Sequence, residues 1–361
     1  MRRPPPPHLP GSYLVLELTN RCSLACVHCS VSEADHPHHQ DTGYLDVALA
    51  EGVFRDLADC GARFDSLVMF WLGEPLIHPH FLHIWQAAVR TAVRHGSFGK
   101  VEVHTNATHL SATMTRGVLN QAPLPQVWHF SLDAIERESY RRIKGLDRFT
   151  QVQKNVERFI RRRAELGAPW PRPVFQFIVG ENNVAQVSAF RAHWEAVCEA
   201  SGTPVRAAAG HVPPGEDAVV FFRQLDCPTA DAQEASNALF REAMAAQGLA
   251  VPTQAEAGQE VRAENIHACS GFWKSPVISW RGELTTCTRD NLLENQVGRV
   301  TDSPFSALWW GEQMAGRRTR VAEGDYSGLP PCATCFIPRS LNYADLDEAD
   351  MAAQAAWEAA G

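Results

Sequence analysis

The sequence predicts an α/β fold: a partial (β/α)6 barrel of the TIM type, followed by a small C-terminal cysteine-rich domain. Three observations predict it. Short apolar runs rich in Val, Ile and Phe alternate with stretches of helical periodicity, the pattern of parallel strands wrapped by helices. Polar and cysteine-bearing segments follow directly on those runs, where the C-terminal strand ends of a barrel gather their chemistry. The ten cysteines include two sets far apart in the chain, so the barrel and the C-terminal region each carry one.

Taken in order, a Pro-rich tail (1–11) leads into YLVLELT (13–19), a buried strand that delivers the chain into the first cysteines. Helical periodicity from about Leu45 to Cys60 precedes the apolar run SLVMFWLG (66–73). A helix over 80–95 precedes KVEVHTNA (100–107), and a short helix precedes VWHFSLD (127–133). Helix 149–166 precedes PVFQFIV (173–179), and helix 186–200 precedes a sixth strand near 204–210. The barrel is thus placed at 12–211. From 212 to 268 the pattern loosens into a bridging segment with a helix near 230–248, whose role is not readable. Within 269–340, PVISWRGELTTC signals a hairpin with Arg281 and Gly282 at the turn, and the acidic, Ala-rich tail 341–361 reads as a surface helix.

A net charge of −8 argues against a nucleic-acid partner, and the basic run Arg158–Arg163 lies in a helical pattern as a solvated face. The N-terminus lacks a signal-peptide core, and no window reaches the ~18 apolar residues of a membrane span, so the expected location is cytoplasmic. In that reducing compartment cysteines serve metals rather than disulfides.

Cys22, Cys26 and Cys29 are spaced C-x3-C-x2-C on the loop after the first strand. Structural zinc and ordinary iron–sulfur sites use four ligands; three thiolates on a cubane leave one iron open to the amino and carboxylate groups of a small molecule. Placed after a strand, and followed by Gly73, Glu74 and Pro75 after the second strand, this loop resembles that of the radical S-adenosylmethionine (radical SAM) superfamily. The resemblance covers roughly residues 12–210. It implies a [4Fe-4S] cluster on Cys22, Cys26 and Cys29 that binds S-adenosylmethionine. It also implies that the Gly73–Pro75 motif contacts the methionyl amino group, and that Asn106, Ser131 and Asp133 hold the methionyl and ribose parts. His28 replaces the aromatic residue common before the third cysteine and is placed near adenine.

Cys269, Cys287, Cys332 and Cys335 form a second set, C-x12-G-x4-C then C-x2-C, with Gly282 allowing the hairpin that joins the first two. By itself this set suits a zinc ribbon as well as a cubane. Beside a radical SAM core it resembles the SPASM/twitch domains. No cysteine occurs in FIPRSLNYADLDEAD (336–350), so the twitch form, with one auxiliary [4Fe-4S] cluster, is the better match. Cys60 and Cys198 read as packing residues, and the histidines of HPHHQ (36–40) as a solvated loop. Cys227, on a loop in QLDCPT, is a candidate hydrogen-atom donor.

These readings imply a radical SAM oxidoreductase fed by a donor such as flavodoxin or ferredoxin. Cleavage of S-adenosylmethionine to a 5′-deoxyadenosyl radical would start the oxidation of a sugar or cyclitol, the small-molecule substrate. Three rivals stand beside it: a maturase acting on a peptide substrate, an epimerase using Cys227, and an iron–sulfur redox carrier without catalysis. With the first strand beginning by Tyr13, there is no room for the N-terminal recognition domain common in peptide maturases.

Overall fold

A computed structural model describes residues 4–31, 36–119, 124–227, 229–251, 266–339 and 346–360. It shows the mixed α/β, mostly parallel arrangement expected of a partial TIM-like barrel. Two compact units divide the chain: Met1–Arg21, Asp35–Glu102 and Glu260–Gly361 form the first, Cys22–Ala34 and Val103–Gln259 the second. No helix among the described residues is long and apolar enough to cross a membrane.

In the first unit, β1 (Tyr13–Leu16) pairs parallel with β2 (Phe64–Met69), Val15 opposite Val68. The intervening helix α1 (Val47–Cys60) is capped by the Asp46 carboxylate, which accepts from the Leu49 N–H, and ends at Gly61 in the left-handed region. Helix α2 (Phe81–His95) follows and buries Phe81, Ile84, Trp85 and Val89. Strand β3 (Phe98–Thr105) crosses the boundary between the units. On the other side of β1 lies β8 (Val277–Ile278), also parallel, with Val15 opposite Val277. It turns at Gly282 (φ 84°) into antiparallel β9 (Glu283–Thr285), which pairs with β10 (Gly298–Arg299). The expected hairpin is therefore present, and it extends the sheet from the free edge of β1. Val15, Trp71 and Val277 form a buried cluster there, and the Trp71 indole donates to the Thr288 carbonyl at 2.9 Å.

The second unit holds β4 (Gln126–Ser131), β5 (Arg172–Val179), β6 (Val205–Ala209) and β7 (Ala218–Gln224), parallel in the order β4-β5-β7-β6. Helices α3 (Ala112–Leu119), α4 (Arg137–Lys144), α5 (Phe149–Glu165), α6 (Val187–Ala200) and α7 (Ala230–Ala246) intervene or follow. The core is aromatic: Trp128 stacks on Phe159 at 5.7 Å, and Phe175 on Trp194 at 4.6 Å.

Within 212–268, read from the sequence as a bridging segment with a helix near 230–248, the structure has that helix as α7 and adds strand β7, which the sequence reading missed; residues 252–265 lie outside the described ones. The fully buried run Ala218–Phe222 takes the position beside β5, and the small-residue strand β6 sits at the edge. Parallel neighbours usually need a crossover of a dozen residues or more, yet residues 210–217 alone join β6 to β7. Arg172 explains how that short return is held. Almost fully buried, it donates from Nε to the Asp217 carbonyl at 2.6 Å and from Nη1 to the Pro213 carbonyl at 2.7 Å. Arg172→Ala leaves both carbonyls without this donor and should cost about 2–4 kcal/mol in anaerobic urea unfolding. A loss below about 0.5 kcal/mol would show that the return holds without it.

Candidate active site

Two backbone contacts carry the first cysteine loop. The Ala25 N–H donates to the Lys144 carbonyl at 3.0 Å and the Val27 N–H to the Ile143 carbonyl at 2.9 Å, so the last turn of α4 supports the loop. Gly145 closes that turn at φ 76°, where a Cβ would lie 2.4 Å from the Ala25 carbonyl oxygen. Cys29 N–H donates to the Cys26 carbonyl in a tight turn. Burial pushes the Cys26 thiol up, Lys144 works in the opposite sense, and the neighbouring Cys29 adds to the rise.

Asn106, just past β3, meets this loop. Its amide reaches Cys22 Sγ at 3.7 Å and Ser23 Oγ at 3.4 Å, while its carbonyl oxygen accepts from Thr108. Ala107 (φ 60°) and Asp133 (φ 58°) are left-handed non-glycine residues just beyond β3 and β4, the kind of backbone that concentrates at functional positions. Ser131 is half-buried at the end of β4. His28 Nε2 lies 3.7 Å from Asp133 Oδ2, and burial holds its imidazole below the usual value.

Asp133 is fully buried. Its Oδ2 pairs with Lys144 Nζ at 2.5 Å, its Oδ1 accepts from the Ile178 N–H at 2.7 Å, and its carbonyl accepts from Asn183. Burial alone would raise its pKa; Lys144 and His28 hold it below the ordinary carboxylate range. Both oxygens thus face protein donors, which makes Asp133 a brace between β4, β5 and α4. Lys144 was not singled out in the sequence. It is one cation among several in RRIK, and only the fold turns it inward.

In the first unit, a Cβ on Gly73 would lie 2.1 Å from the Thr19 carbonyl oxygen, so the close approach of two backbones demands glycine. The Glu74 N–H donates to the Arg21 carbonyl at 2.8 Å, its carboxylate accepts from Leu76, and Pro75 opens a short 3-10 turn. Glu17, another residue not singled out in the sequence, is buried after β1. It accepts from Leu72 N–H at 3.2 Å and from Trp280 N–H at 3.1 Å, joining the loop before Gly73 to the C-terminal hairpin.

The second cysteine set converges within the same unit. A Cβ on Gly271 would lie 3.6 Å from Cys269 Sγ and 3.7 Å from Cys287 Cβ, so these two meet there; burial pushes Cys269 up, and Cys287, Cys332 and Cys335 add to the rise. Burial and two of those neighbours push Cys332 up to about 12. Four half-buried cysteines of one unit, with no disulfide between them, fit a site whose metal takes them as thiolates. The trio fits a cluster too: Cys26 and Cys29 share a tight turn, and three thiolates would leave a position for another ligand.

Cys227 stands three residues beyond β7, largely buried, with its N–H donating to Gln233 Oε1 at 2.9 Å. Cys60 and Cys198 pack in α1 and α6, and burial pushes Cys198 up to about 12. His36–His39 form a turn whose His38 carbonyl accepts from the Asn20 amide, which also donates to the Asp41 carbonyl.

Residues 16–169 match the family profile of the radical SAM superfamily, and residues 269–336 that of SPASM, an iron–sulfur cluster-binding domain. GTP 3′,8-cyclase of Chlorobaculum tepidum is 31% identical over 148 residues, 41% of this chain and 41% of that protein. The chain thus spans about two fifths of the length of the cyclases it matches. SuiB from Streptococcus suis, solved with S-adenosylmethionine, superposes with a TM-score of 0.56 at 13% identity, covering 88% of this chain and 68% of SuiB. The structure of anSMEcpe with bound AdoMet gives 0.56 at 12% identity, with 92% and 88% covered. At such identities the likeness is one of fold.

Glu17 supplies a pH test. Burial pushes its carboxyl up to about 7 against two N–H donors that favour the charge. With a folded pKa above the ordinary value, the stability this group contributes is present at low pH and is lost as pH rises through about 7. Thermal unfolding of the anaerobic protein between pH 5 and 8 should show a decline that is smaller in Glu17→Gln by up to about 3 kcal/mol. Equal slopes in the two proteins would show that Glu17 does not titrate in this window.

Proposed function

We propose that this chain, with its radical SAM match over residues 16–169 and its SPASM match over 269–336, is a radical SAM enzyme that oxidises an unactivated carbon of a small polyol, a sugar or cyclitol, to a ketone. The observation that carries this reading is the pairing of a three-cysteine loop in the radical SAM match with a four-cysteine set at the SPASM match. When bound, the first cluster supplies the electron that splits S-adenosylmethionine into methionine and a 5′-deoxyadenosyl radical.

Cys22, Cys26 and Cys29 would hold that cluster, with Asn106 beside Cys22 and the Asp133–Lys144 brace fixing the loop. Gly73, Glu74 and Pro75 would receive the methionyl amino group, Asn106 and Ser131 the methionyl and ribose parts, and His28 the adenine. Asp133 would contribute by fixing His28 and the end of β4. Loss of a hydrogen atom from the substrate carbon, then of an electron and a proton, gives a product two hydrogens lighter per S-adenosylmethionine consumed. Cys269, Cys287, Cys332 and Cys335 would hold the auxiliary cluster with four thiolates, a ligand set that suits reception of that electron rather than substrate binding. Reduced flavodoxin or ferredoxin would return the first electron.

A second reading, a peptide substrate, draws on two fold relatives: SuiB has been solved with the precursor peptide SuiA, and anSMEcpe with the Cp18Cys peptide. Cys227, placed just past the C-terminal end of a parallel strand, supports the epimerase variant of either.

Formation of 5′-deoxyadenosine from S-adenosylmethionine under dithionite tests the core of the proposal. Cys22→Ala should abolish it, whereas Cys332→Ala should retain part of it while impairing product formation. Equal loss in both variants, with circular dichroism unchanged, would contradict the division of labour. With polyols or peptides as substrates, a product lighter by two hydrogens supports oxidation. An isomer labelled from deuterated water, and lost in Cys227→Ala, would make the enzyme an epimerase.

A further inference from the structure

Three N–H groups point at sulfurs of the second cysteine set. The Gly271 amide serves Cys269, the Arg289 amide reaches Cys287 Sγ at 3.4 Å, and Asn295 Nδ2 reaches Cys332 Sγ at 3.1 Å. The first two are backbone groups within two residues of the cysteine they serve, and any sequence folded this way would supply them. Asn295 is different: it lies 37 positions from Cys332 and brings its donor on a side chain.

Its placement is fixed from several directions. Asn295 is 1% exposed. Its backbone N–H donates to Asp290 Oδ2 at 3.0 Å, and its backbone carbonyl accepts from Arg317 Nη1 at 2.8 Å. Asp290 is held in turn by the Thr285 hydroxyl at 2.5 Å and the Glu294 N–H at 2.8 Å. The sulfur decides which end of the amide faces it, because the carbonyl oxygen against a thiolate would bring two electron-rich atoms together. These bonds fix the backbone of Asn295; in its side chain Oδ1 is buried without a hydrogen-bond partner among the described residues, and the Nδ2 contact with Cys332 Sγ is what orients the amide.

Resting on the reading of this set as the ligands of an auxiliary cluster, we propose that Asn295 is a positioning residue that raises the reduction potential of that cluster through Cys332. Reduction adds negative charge that spreads onto the sulfurs. A fixed N–H donor stabilises the reduced form more than the oxidised one, so the cluster accepts an electron more readily. In the proposed oxidation this makes the four-thiolate site a better acceptor for the electron leaving the substrate.

The test is a redox titration of the reconstituted full chain, followed by electron paramagnetic resonance of both clusters. Asn295→Leu and Asn295→Ala should move the auxiliary midpoint to lower potential and leave the first cluster's midpoint in place. An unmoved or raised auxiliary midpoint, with four irons retained at the second set, overturns the proposal. Wild-type protein labelled with ¹⁵N-asparagine gives a check that needs no variant. Electron–nuclear double resonance should detect ¹⁵N and an exchangeable proton coupled to the auxiliary signal, and their absence overturns the proposal as well. Metal analysis separates the two levels: zinc in place of iron removes the cluster reading itself, whereas iron with an unmoved midpoint removes Asn295's role alone.

Discussion

A buried ion pair, Lys144 Nζ to Asp133 Oδ2 at 2.5 Å, is the constraint on which the first cysteine loop depends. Neither group reaches solvent, so each is tolerated because the other is present. Asp133 adopts its left-handed backbone at the end of β4 and also takes the Ile178 N–H at the end of β5. Lys144 closes α4, and its carbonyl takes the Ala25 N–H. One interaction therefore fixes two strand ends, a helix end and the loop carrying Cys26. Removing one partner leaves a bare charge in an apolar setting, a loss of about 3–5 kcal/mol placed directly under the cysteines.

The first unit solves a similar problem with a single carboxyl. Glu17 takes backbone N–H groups from the loop before Gly73 and from Trp280 of the hairpin. Because β8 lies parallel to β1, with Leu16 opposite Ile278, the second cysteine set grows out of the same sheet that carries the Gly73 loop. The contrast with Asp133 is electrostatic. Asp133 has a cation and stays charged, whereas Glu17 has N–H donors alone with Glu283 nearby, and its carboxyl is pushed up.

The strands up to β6 were legible because buried parallel strands leave uninterrupted apolar runs, and the motif residues were legible because they follow those runs directly. The hairpin was legible from Arg281–Gly282. Strand β7 was not, because PPGEDA interrupts the chain just before it and the return from β6 lacks the helix that marks a crossover. Two-residue strands such as β8 carry no pattern, so its pairing with β1 could not be read either. Lys144 and Asn295 escaped for another reason. A lysine in RRIK and an asparagine in LLENQ look like surface residues until the fold places Asp133 or Cys332 against them. Spacing reveals ligands, while the groups that hold and tune ligands come from distant positions with no spacing rule.

One cluster site should have an open iron, and the other should be closed by four thiolates. Electron paramagnetic resonance of the reduced, reconstituted protein, with and without S-adenosylmethionine, tests it directly. Two cluster signals should appear, of which the one lost in Cys22→Ala shifts on adding S-adenosylmethionine and the one lost in Cys332→Ala does not. A shift in the second signal, or none in either, would contradict it.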